Sequence, residues 1–147
     1  MKNIFFLIIL SVIKSSFSQV ITVTWNRTKA YNFHGDNARI PEFASAGTLV
    51  FDVEGNGKKV IDLNRMESSF YEDDVYVNTL KIASYQKTSK DRIEIVLEDF
   101  DLRTGKPFPT YQVLDLKTNK SYYSWYYNGN DNITWVYIED GGKIQIK

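Results

Sequence analysis

From Val20 onward, apolar residues recur at every second position in short runs rich in Val, Ile, Tyr and Phe, and clusters of Gly, Asn, Asp and Lys interrupt the runs at fairly even intervals. Successive side chains of a strand point to opposite faces, so this alternation suits strands with one face buried and one wet. Evenly spaced runs of that kind specify an antiparallel all-β domain. The pattern predicts strands over 20–26, 47–54, 58–64, 75–85, 92–98, 110–117, 120–127, 133–139 and 143–147. Two architectures bury such strands. An antiparallel meander forming a small barrel is the first choice, because consecutive connections are short; a two-sheet β-sandwich is the second, served by the longer connections at 27–46 and 99–109.

The start of the chain breaks the alternation. Lys2 precedes an apolar run from Ile4 to Leu10 that extends to Val12 and Ile13, and Ser16 and Ser18 put small residues at both recognition positions of a cleavage site. The run is shorter than the ~20 apolar residues that cross a bilayer. Residues 1–18 are therefore read as a signal peptide and 19–147 as a single all-β domain, secreted or periplasmic, without a transmembrane anchor after cleavage. The 129 residues left when 18 are removed from 147 can fold without covalent staples. The lack of cysteine is thus tolerable, and it excludes disulfides and thiolate metal sites. With Lys2 and Lys14 in the leader, 16 basic side chains remain against 18 acidic ones, which leaves no positive excess for a nucleic acid.

Turn chemistry predicts how the strands pair. In "EGNGK", a three-residue loop at Gly55, Asn56 and Gly57 sets Glu54 opposite Lys58 and puts Leu49, Phe51 and Val53 on one face with Ile61 and Leu63. In "LDLKTNKSYYSW", a turn at Thr118 and Asn119 sets Leu114 opposite Tyr123 and Gln112 opposite Trp125. In "YIEDGGKIQIK", a turn at Gly141 and Gly142 sets Glu139 opposite Ile144 and Tyr137 opposite Ile146. An odd-numbered connection at "NGNDN" places Tyr127 opposite Ile133, Trp125 opposite Trp135 and Tyr123 opposite Tyr137. All the apolar faces then become one surface.

On that register Tyr123, Trp125, Tyr127, Trp135 and Tyr137 point inward. They either close-pack as an aromatic core or line a cavity whose rings stack a ligand and whose hydroxyl and indole groups donate hydrogen bonds. Tyr111, Tyr122 and Tyr126 fall on the outer face, where exposed tyrosines suit sugar stacking unless part of the 27–46 segment covers them. A meander of amphipathic strands with an inward aromatic set is an architecture shared by lipocalin-like barrels and small carbohydrate-binding sandwiches.

Chemistry is thinly represented. His34 lies near Asp36, Asn37, Arg39 and Glu42 and offers a general base, but no second His completes a multi-His zinc site. Asp52, Glu54, Asn56 and Gly57 imitate the start of a calcium loop, which fails because Leu63 stands where a bidentate Glu is needed. "RTGKPF" lacks the full phosphate-cradling pattern. No metal, cofactor or catalytic set is expected. The leading expectation is non-enzymatic binding of a small apolar or aromatic ligand in an aromatic-lined cavity. The alternative is an extracellular module binding glycan or protein through the outer tyrosines, and a hydrolase centred on His34 comes third.

Overall fold

A computed structural model of the chain describes residues 19–39, 46–127 and 132–147, so residues 1–18, the expected leader, lie outside it, as do Glu42 and residues 128–131 of the "NGNDN" connection. Nine strands follow one another: β1 (Val20–His34), β2 (Thr48–Asp62), β3 (Glu67–Glu72), β4 (Val75–Ser89), β5 (Arg92–Phe100), β6 (Pro107–Asp115), β7 (Lys120–Tyr127), β8 (Ile133–Asp140) and β9 (Ile144–Ile146). Each of β2 to β8 pairs antiparallel with the next, and β1 pairs with both β2 and β8. The result is a closed eight-stranded antiparallel β-barrel rather than a sandwich. Closure leaves every one of the eight staves with a neighbour on both sides over at least part of its length.

Three predicted turns are corrected. Gly55–Gly57 is no loop: β2 runs unbroken through it and pairs with β1 from Thr48 to Asp62. The glycine at 57 serves a close approach instead, because a Cβ there would sit 2.0 Å from Trp25 Cε2. Face assignments survive, since a continuous strand keeps the odd positions together just as a three-residue loop does.

The second correction concerns β9, which does not fold back on β8. It continues β8's register along β1, with Ile144 opposite Val23 and Ile146 opposite Ile21. Thr24 and Lys143 exchange backbone hydrogen bonds of 2.9 and 3.1 Å. Gly141 takes a left-handed φ of 81° and a Cβ on Gly142 would lie 1.8 Å from the Thr24 carbonyl oxygen, so this Gly pair lets the chain pass close against β1 without a change of register.

Third, β6 and β7 pair two residues away from the predicted register. Asp115 faces Lys120 and Gln112 faces Tyr123, because the Asp115 carboxylate accepts hydrogen bonds from the backbone N–H groups of Lys117 and Thr118 and holds a longer turn. A shift of two keeps Leu114 and Tyr123 on one face. Strand β3, "ESSFYE", is absent from the predicted set, and β1 extends through 27–34, which was expected to be irregular.

The β7–β8 register is as predicted: Tyr127 faces Ile133, Trp125 faces Trp135 and Tyr123 faces Tyr137. Beyond β1, residues 35–39 fold back over the outside of β7 and β8. Thr134 Oγ1 donates to the Gly35 carbonyl and accepts from the Asn37 N–H at 2.9 Å, while Ser124 Oγ donates to the Ala38 carbonyl. Ala38, Ser124, Thr134 and Val136 are buried beneath this flap.

The barrel interior divides lengthwise. Ile21, Val23, Ile61, Leu63, Ile93, Ile95 and Leu114 fill the end where β1 begins and where the β2–β3, β4–β5 and β6–β7 turns lie. Aromatic residues occupy the other end, and they do not fill it.

Candidate functional site

A cavity of about 430 Å³ opens inside the barrel at the aromatic end. Its walls come from β1 (Trp25, Thr28), β2 (Phe51, Val53, Gly57), β3 (Ser68, Phe70), β4 (Asn78, Leu80) and β7–β8 (Tyr123, Tyr137). It reaches the surface beside β2. Pairing between β2 and β3 stops at Gly57 opposite Glu72, so among the described residues β2 continues over 48–56 with β1 alone as its paired neighbour. Val53, Glu54, Gly55, Asn56, Glu72 and Asn78 line the opening and are exposed. The tip of the β3–β4 hairpin is tied to this edge by the Asp73 N–H, which donates to the Asn56 carbonyl at 3.0 Å.

The floor is charged. Lys59, only 8% exposed, points inward from β2 between Gly57 and Ile61, and its ammonium pairs with the Glu139 carboxylate of β8, itself 4% exposed. Lys59 Nζ also donates to Gln112 Oε1 at 3.0 Å, and Gln112 Nε2 donates to Glu139 Oε2 at 3.3 Å and to Ser121 Oγ. Around the ammonium stand three ring faces, with centroids 4.4 Å (Tyr123), 5.3 Å (Trp25) and 6.0 Å (Phe70) from Nζ. Trp25 and Phe70 stack on each other at 5.8 Å and 7°. Such an ion pair survives burial because both ions are hydrogen-bonded and the cation meets π faces.

Tyr123 closes the floor on the other side, its hydroxyl donating to Asp99 Oδ2 at 3.1 Å. Burial, above all, pushes its phenol well above the ordinary tyrosine range, and the nearby Asp99 and Glu139 carboxylates push the same way. Burial raises the Tyr137 phenol as well. Both hydroxyls therefore stay protonated at neutral pH; Tyr123 donates to Asp99, and Tyr137 carries a proton it can donate.

Of the five rings expected to line a cavity, Tyr123 and Tyr137 do so. Trp125 and Trp135 share the inner face, but they stack on each other at 6.3 Å and 13°, and Trp125 also meets Tyr137 edge-on at 5.0 Å. Neither is a cavity-lining residue; the stacked pair lies beside Tyr137 on the inner face. Tyr127, next along β7, lies under the Arg103 guanidinium, 5.0 Å from its ring centroid.

The outer tyrosines are partly buried. Tyr111 is engaged by Arg39, whose Nε donates to its hydroxyl at 3.2 Å and whose guanidinium lies 5.4 Å from its ring centroid. Tyr126 donates to Asn132 Oδ1, and Tyr122 pairs with Val113 and Ile138 as cross-strand neighbours. His34 ends β1 exposed, with no ion pair or hydrogen bond to its ring among the described residues. No group of three or more His, Asp or Glu side chains able to hold a metal occurs among them.

Residues missed in the sequence carry most of the site: Trp25, Phe51, Lys59, Phe70 and Glu139. A signal was available. Lys59, Gln112 and Glu139 each occupy the apolar phase of their strand, and three polar residues in the inward phase of three strands point to a shared interior partner. No family model matches this chain, no curated protein matches its sequence, and no solved structure matches it.

Proposed function

We propose that this chain is a non-enzymatic binding protein, secreted or periplasmic, that holds a small apolar or aromatic ligand inside its barrel. One observation carries the reading: a barrel whose other end is filled with aliphatic side chains keeps about 430 Å³ open between aromatic walls. Native interiors are close-packed, with few voids larger than a water molecule. A space in the range of small-molecule sites, lined by rings and a few polar groups and open to solvent at one side, is the usual form of a ligand pocket. The Lys59–Glu139 pair supports the same reading, because a buried ion pair is seldom the most stable filling for a core position.

The alternative, glycan or protein binding through Tyr111, Tyr122 and Tyr126, has less behind it. These rings are partly buried, and Tyr111 is already occupied by Arg39. A role for His34 as a base lacks an orienting partner among the described residues.

Trp25 forms part of the cavity wall, so a bound ring compound should quench or shift tryptophan emission. Titration with a panel of uncharged and charged aromatic and lipid-like compounds is expected to give saturable quenching for some of them, lost in Phe51→Ala. Flat responses across the whole panel would remove the proposal.

A further inference from the structure

We propose that the cavity selects an uncharged ring compound carrying an oxygen acceptor, such as a ring ketone, and that Lys59 donates the hydrogen bond that selects it. This rests on the cavity being a binding site at all. An ammonium has three N–H donors. Glu139 and Gln112 take two of those on Lys59, and Lys59, Tyr123 and Glu139 all border the cavity. Among the described residues, the remaining donor has the faces of Tyr123, Trp25 and Phe70 around it. Glu139 has both oxygens engaged, and the Tyr123 hydroxyl is committed to Asp99. Among the charged floor groups Lys59 is therefore the one with a donor left to offer, and the neutral Tyr137 hydroxyl on the wall is the competing donor that the Lys59 variant below separates from it.

Charge decides which acceptor it prefers. The Lys59 charge is already matched by Glu139, and the other charged side chains bordering the cavity are Glu54 and Glu72 at its opening. A carboxylate or phosphate would gain no unpaired cation and would meet Glu139 at the floor, a like-charge contact in a poorly solvated space. A cationic ligand would face the Lys59 ammonium in the same rings. A neutral carbonyl receives the spare N–H without either conflict, and a flat ring behind it stacks on the Trp25, Phe70 and Tyr137 walls.

The test uses one ring system with four substituents: ethylnaphthalene, acetylnaphthalene, naphthoate and naphthylmethylammonium, titrated against the full chain by tryptophan fluorescence and calorimetry. Acetylnaphthalene is expected to bind about tenfold tighter than ethylnaphthalene, the factor of one hydrogen bond from a charged donor. Naphthoate should bind more weakly than either. In the paired variant Lys59→Met/Glu139→Gln, which leaves no lone buried charge, the tenfold preference should vanish while ethylnaphthalene still binds. Equal affinities for ketone and hydrocarbon, tightest binding by naphthoate or by the ammonium, or a preference that persists in the paired variant would each overturn the assignment and leave the cavity reading intact. Binding by none of the four would overturn the assignment, and flat responses across the wider panel as well would overturn the cavity reading. Should the paired variant not fold, the wild-type series decides alone.

Discussion

The buried ammonium of Lys59 is the residue on which the interior turns. Taking a lysine and a glutamate out of water costs several kcal/mol each, and here the cost is offset by the mutual charge, the Gln112 amide and the surrounding rings. Removing one partner leaves the other charge stranded. Lys59→Met is therefore expected to lower unfolding free energy by about 3–5 kcal/mol. The paired change Lys59→Met/Glu139→Gln should cost much less, because it removes both ions and keeps an amide beside Gln112. Urea denaturation of both single variants and the double one closes the cycle. Additive losses would mean that the two ions do not stabilise each other.

At the scale of elements, strands and faces were legible in the sequence while several turns were not, for one physical reason. Glycine serves equally where the chain must reverse and where a backbone must pass close to another group. "EGNGK" and "DGG" carry turn chemistry by composition, yet Gly57 makes room for the Trp25 ring and Gly142 for the Thr24 carbonyl. Which role applies depends on residues over thirty positions away, invisible to local reading. The inward phase of Tyr123, Trp125, Trp135 and Tyr137 was readable because period two survives register shifts of two, as at Asp115–Lys120. Strand β3 was missed because its inward residues are Ser68, Phe70 and Glu72, with a single apolar member. The two glycines of β2 give a direct check. Gly57→Ala must push the Trp25 ring off Phe70 and should cost roughly 1–3 kcal/mol. Gly55→Ala meets nothing within 4 Å and should change stability by only a few tenths of a kcal/mol. Equal denaturation midpoints for the two variants would contradict the close-approach role of Gly57.

The whole molecule assigns its two ends to different tasks. Ile21, Ile61, Ile95 and Leu114 are each under 2% exposed and belong to one core cluster drawn from four strands, so the aliphatic end supplies the cohesion that closes the barrel. The aromatic end supplies shape, with Trp125 and Trp135 stacked beside Tyr137 and with Phe51, Phe70, Tyr123 and Tyr137 facing open space. A residue beside a void has already given up part of its packing contacts, so truncating it loses less than truncating one embedded on all sides. Ile95→Ala is therefore expected to lower stability by about 2–5 kcal/mol while ligand affinity changes little once the protein is folded. Phe51→Ala, on the cavity wall and edge-on to Tyr137 at 5.5 Å, should cost clearly less stability and weaken ligand binding at least tenfold. Denaturation midpoints and fluorescence titrations on the same two variants measure both effects. If Ile95→Ala were to damage binding as much as Phe51→Ala at equal folded fraction, the two ends would not be separable, and the cavity would have to be understood as part of one continuous core.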